Sequence, residues 1–215
     1  MKLMIKLNRL LVFLLLFNVA KQLPAQSLKD VFNESETPVY YLGADFTLAR
    51  LIDVPENAAD IRDRNYPAIN DVIVNEPKKY DLAGAFHKTT IDHDLSFVAK
   101  RNEKINAEEI KSNNTADYDR LKEDDISTLV KGFDFGSKKG IGLLFVVDGM
   151  SKAKKSAGIW VTLVDMSTKK MLMTERLQGE PGGFGFRNYW AGSFRKVIEE
   201  IEKRKYKEWK AKYGG

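Results

Sequence analysis

Between Ile141 and Val147 the chain is apolar at nearly every position, a run of strand length that predicts a central strand covered on both faces. Beyond it, Ile159, Val161 and Leu163 alternate with Trp160, Thr162 and Val164. Ser167-Thr168-Lys169-Lys170 then turns that segment into Met171–Leu177, so the two predict a hairpin. Trp190, Phe194, Val197, Ile198 and Ile201 fall on one face of a closing helix over about 188–212. Upstream the pattern is more broken. Residues 27–37 read as a polar lead-in with a short helix around Leu28–Phe32. Val39-Tyr40-Tyr41-Leu42 predicts a strand, and Phe46–Ile52 extends it past a bulge or bend at Gly43. The stretch 53–66 carries Pro55 and no period, which predicts a loop. Ile69, Val72 and Ile73 lie at helical spacing within Ala68–Asn75, and Pro77 closes that helix. A second short helix is expected over Asp81–Phe86.

Ile91–Ala99 alternates around Leu95, Phe97 and Ala99 and predicts a further strand, followed by a polar, helix-containing surface excursion over 100–120. Asp124 and Asp125 precede a helix that ends near Gly132. The predicted order is β, α, α, β, α, β, β, β, α. This is an α+β fold: a mixed, mainly antiparallel sheet of about four to five strands, with helices packed on it and a long C-terminal helix.

The N-terminus changes the reading of the whole. A basic lead through Lys2, Lys6 and Arg9 runs into the apolar block Leu10–Phe17, and Leu23-Pro24-Ala25-Gln26 offers a small residue for cleavage. That order predicts a secretory signal peptide over residues 1–26 and a single domain over 27–215, periplasmic or secreted. The block is too short for a transmembrane helix, which needs about 20 apolar residues. Loss of the leader removes four of the 35 Lys and Arg and none of the 30 Asp and Glu, leaving 31 against 30. A global case for nucleic-acid binding therefore disappears. With no Cys in the chain there is no lipid-carrying cysteine, thiol catalysis or thiolate metal site.

Two segments carry candidate contact chemistry. In Gly179-Glu180-Pro181-Gly182-Gly183-Phe184-Gly185-Phe186-Arg187-Asn188 a strand passes into a helix, where backbone N–H groups and the Arg187 fork suit an anion. It matches neither nucleotide-binding glycine pattern. The alternative is structural: glycines for turns, Phe184 and Phe186 in the core, Asn188 as the helix cap. In the closing helix, Tyr206, Trp209 and Tyr213 sit off the core stripe among Lys203, Arg204, Lys205, Lys207, Lys210 and Lys212. Such a tail suits an envelope partner or peripheral membrane contact; the alternative is a solvated helix end on the domain's flank. Candidate ligand or partner contacts are thus Gly183, Gly185, Arg187, Asn188, Tyr189, Trp190, Tyr206, Trp209 and Tyr213. Asp92-His93-Asp94 would send its carboxylates to the strand face opposite His93, and His87 would have to swing in from a helix end, so no metal site is expected. Ser96 and Ser127 stand in no hydrolase context, so neither catalytic residues nor a cofactor are assigned.

Tyr41-Leu42-Gly43-Ala44-Asp45-Phe46, Asn75-Glu76-Pro77-Lys78-Lys79-Tyr80, Gly140-Ile141-Gly142-Leu143-Leu144-Phe145 and Gly182-Gly183-Phe184-Gly185-Phe186-Arg187-Asn188-Tyr189-Trp190-Ala191 resemble an exported protein family of Bacteroidota with no assigned activity. The resemblance implies an exported single domain and transfers no catalytic residue. The expected function is that of a non-enzymatic envelope protein that binds a protein partner or small ligand. The alternatives are a hydrolase using carboxylates on an envelope or dietary polymer, and an anion- or glycan-binding module.

Overall fold

The computed structural model describes residues 27–215. The expected signal peptide lies outside the described residues. Helix α1 (Leu28–Asn33) opens on a capping box in which Ser27 and Asp30 satisfy each other's backbone N–H. Strand β1 (Val39–Asp45) turns through Phe46–Ala49 into β2 (Arg50–Ile52), and a register shift between Tyr41 and Gly43 marks the expected bulge. Where a loop was expected, a helical run begins. Asn57 caps α2 (Ala58–Asp60) by accepting from Ala59 and Asp60, and a π-helical turn over Ile61–Asn65 leads into α3 (Tyr66–Asn75). Then come α4 (Leu82–Ala85), β3 (Asp92–His93), α5 (Ser96–Asn102), β4 (Lys111–Ser112) and α6 (Glu123–Lys131). The C-terminal half is β5 (Ile141–Ser151), β6 (Ser156–Asp165), β7 (Lys170–Gly179) and α7 (Gly185–Glu200). A π-helical turn (Ile201–Lys205) continues α7 into α8 (Tyr206–Tyr213).

The sheet has seven strands, and its pairing corrects the expected mainly antiparallel sheet of four to five. Strands β5, β6 and β7 form an antiparallel meander. The other edge of β5 is shared: β1 runs along Ile141–Val146 and β2 along Gly149–Ser151, both parallel to it. Outside these lie β3 on β1 and β4 on β2, again parallel, so four of the six ladders are parallel. Parallel neighbours need long crossovers, and the roughly ninety residues between β2 and β5 supply them as α2 to α6. Of the strand expected over Ile91–Ala99 only Asp92–His93 pairs in the sheet; beyond it Leu95 and Val98 follow helical spacing into α5, where Val98 is buried.

All eleven residues of β5 are buried, as its apolar run predicts, because the sheet is covered on both faces. On one face Tyr41, Phe145, Val161 and Leu163 pack with Trp190, Phe194, Val197 and Ile201 of the long helix. On the other, Leu42, Leu144, Val146 and Val164 pack with Val98, Ile126, Val130, Phe133 and Phe135. Where β1 outruns β3, two buried asparagines take over its edge. Asn70 accepts from Ala44 N and donates to Ala44 O, at 2.6 and 3.1 Å, and Asn102 donates to Ala44 O and accepts from Phe46 N, at 3.0 and 2.9 Å.

Each buried sheet carboxylate has its own arginine. Asp45 meets Arg101 of α5 at 2.6 Å. Asp148 meets Arg176 of β7 at 2.8 Å, and the same guanidinium donates to Tyr118 O at 2.8 Å. Arg176 crosses β6 through the space above Gly158, which any side chain would fill. Burial pushes the Asp148 carboxyl above the ordinary range, against the pull of the Arg176 guanidinium.

Candidate functional site

The Gly-rich segment connects β7 to α7. Gly182 N donates to Tyr189 O at 2.9 Å, which folds the segment back onto the first turns of the helix. Gly183 (φ +112°) and Gly185 (φ +77°) adopt left-handed conformations that disfavour a side chain, so the bends on either side of Phe184 need glycine. Phe184 occupies the N-cap position without a capping hydrogen bond and is 96% exposed. This corrects the structural alternative for the segment: Phe184 is outside the core, and Asn188 sits within the helix rather than at its cap. Phe186 does pack inward, edge-on to Trp190 with ring centroids 6.3 Å apart.

Behind the segment lies a cleft of about 360 Å³, lined by Glu56, Lys152, Gly183, Gly185, Phe186, Tyr189 and Trp190. Trp190 is fully buried, and Tyr189 stands edge-on to it at 5.0 Å. The opposite wall is polar: Lys152, from the β5–β6 turn, meets Glu56 at 2.8 Å. Burial raises the Glu56 carboxyl, but the Lys152 hydrogen bond and the Lys152 and Lys111 charges outweigh it and hold it below the ordinary range. The cleft therefore joins an aromatic wall to a compensated ion pair.

Of the nine contact residues expected from the sequence, Gly183, Gly185, Tyr189 and Trp190 line this cleft. Arg187 and Asn188 lie on the adjoining helix turn, where Arg187 Nε donates to Asn188 Oδ1 at 3.1 Å. Tyr206, Trp209 and Tyr213 do not join them: Tyr206 and Trp209 are buried, and Tyr213 is half-buried. Tyr206 OH donates to Phe32 O at 3.0 Å, and its ring stacks on His87 at 4.0 Å. Trp209 Nε1 donates to Glu175 Oε2 at 2.6 Å, with its ring 6.1 Å from Phe86. Tyr213 stacks on Phe32 of α1 at 6.1 Å. Several of the tail's bases are also compensated. Lys205 pairs with Glu175 and Glu208, Arg204 with Glu200 and Glu208, and Lys203 with Glu199.

Glu56 and Lys152, which sequence reasoning did not single out, are 96 residues apart and meet only through the fold. No helix among the described residues is long and apolar enough to cross a membrane. Among the same residues no group of three or more His, Cys, Asp or Glu is placed to hold a metal; Asp94 is instead bonded to Ser96 and Lys138. No family model, curated protein or solved structure matches the chain, so the functional reading rests on the geometry of the cleft itself.

Proposed function

We propose that this chain is an exported, non-enzymatic envelope protein that binds a partner or ligand at the 180–190 segment and the cleft behind it. One observation carries the reading. A fully exposed phenylalanine is held between two left-handed glycines at the rim of a cleft whose wall is aromatic. Exposing Phe184 forgoes about 1.5–3 kcal/mol of burial free energy, and buried aromatic anchors dominate contact energetics. Acid–base chemistry fits the cleft less well. Glu56 is the one carboxylate among its lining residues, and the Lys152 ion pair holds it ionised.

The test is lysine crosslinking with mass spectrometry on the full chain, expressed with its own leader in its native envelope. Crosslinks from Lys152 that disappear in Phe184→Ser are expected. Crosslinks confined to Lys203, Lys207 and Lys210, and unchanged in that variant, would move the contact surface to the tail.

A further inference from the structure

Resting on that reading of the site, we infer that the cleft binds a neutral sugar ring, its hydroxyls on the Glu56–Lys152 pair and its C–H face on Phe186 and Tyr189. Both polar partners have capacity to spare. Glu56 Oε1 accepts from the Lys152 ammonium at 2.8 Å, and Glu56 Oε2 has no hydrogen-bond partner among the described residues. Lys152 Nζ carries three N–H donors, one of which is spent on Glu56. The two side chains are 33% and 34% exposed, so the pair is open to a ligand. A carboxylate oxygen left without a donor is costly, and a ligand hydroxyl supplies one.

The ion pair selects against a charged ligand. Glu56 is held ionised and only accepts, while Lys152 only donates. An anion would have to draw Lys152 away from Glu56, and a cation would have to approach against Lys152 and the nearby Lys111 charge. Lys111 is itself engaged, donating to Pro55 O at 3.3 Å. Adjacent hydroxyls break nothing: one donates to Oε2, its neighbour accepts from the ammonium, and the pair stays closed. The other wall suits the apolar face of a ring. Phe186 and Tyr189 are half-buried, and the fully buried Trp190 braces both from beneath, edge-on at 6.3 and 5.0 Å. Gly183 and Gly185 line the space without side chains to narrow it. At about 360 Å³ the cleft lies near the lower end of small-molecule sites, which suits one ring rather than a long chain.

Saturation-transfer NMR on the full chain decides this. The probes are glucose, galactose, mannose and N-acetylglucosamine, each free and as the terminal residue of an oligosaccharide. At least one should receive saturation on its ring protons. Binding of the free sugar makes the ligand a soluble saccharide, and binding of the oligosaccharide alone makes it a chain end; either supports the inference. Glu56→Gln and Lys152→Met should each weaken that binding at least about tenfold, the loss of a hydrogen bond to a charged group. Tyr189→Ala should weaken it as well, and the two polar variants keep the test open if that one fails to fold. Sugar binding that ignores both polar variants overturns the inference. So does the absence of saturation at about 10 mM, where a millimolar site would be mostly filled. Acetate or trimethylammonium bound in preference to every sugar also overturns it. If the sugars fail while the Phe184-dependent crosslinks from Lys152 persist, the contact site stands without this ligand; if both fail, both readings fall.

Discussion

Two aromatic segments of this chain look alike in sequence and end in opposite places. Phe184, Phe186, Tyr189 and Trp190 lie among glycines and one arginine; Tyr206, Trp209 and Tyr213 lie among lysines. The second group looks more like a docking surface, yet Tyr206 and Trp209 are buried and Tyr213 stacks on Phe32, while Phe184 is 96% exposed. The difference lies in what the fold brings to each. Helix α1 and the Phe86–His87 corner reach the tail from far away in sequence and cover its aromatic side, whereas no side chain caps the helix end at Phe184. Helical phase shows which residues share a face, but not how many faces of a helix will be covered.

The comparison can be broken most forcefully from the buried side. Trp209→Ala should cost about 3–5 kcal/mol in a denaturant titration, the range for an aromatic removed from a packed core. A loss under about 1 kcal/mol would return Trp209 to the surface. Arg176→Met should cost a similar amount, about 3–5 kcal/mol, because it leaves the buried Asp148 carboxylate unpaired. Its pH dependence has a definite sign. A carboxyl raised in the folded state contributes stability below its unfolded range and loses it as pH rises through its folded value. Asp148 is already raised by burial, and without Arg176 it rises further. The deficit of the variant should therefore widen as pH rises above the ordinary carboxylate range. A deficit that narrows as pH rises contradicts the assignment.

Smaller changes sharpen the contrast. Tyr206→Phe removes the buried hydrogen bond to Phe32 O and should cost about 1–2 kcal/mol with the fold retained. Phe184→Ser should change stability by less than about 0.5 kcal/mol, as for an exposed residue, and act only on association.

What could be read locally was read well. The apolar run of β5, the hairpin through Ser167–Lys170 and the stripe Trp190–Ile201 all declare themselves by period, because each is decided by neighbours in sequence. The parallel attachment of β1 and β2 to β5 was not legible, because pairing between distant strands leaves no local mark. The helical run from Ala58 was hidden behind Pro55, although Asn57 is an ordinary cap residue for it. In the site, the glycines and aromatics of 183–190 stood out by composition. Glu56 and Lys152 did not, since one lies in an aperiodic stretch, the other in a turn, and only the fold pairs them. Asp148 gave a faint signal as the one charge in β5.

The most direct test of the central claim is hydroxyl-radical footprinting of the protein in its native envelope, read residue by residue against the purified chain at high dilution. Phe184, Phe186 and Tyr189 should react in the dilute protein and be protected in the envelope, while Tyr206 and Trp209 stay unreactive in both. Reactive Trp209 and Tyr213 that become protected in the envelope, with Phe184 unchanged, would contradict it.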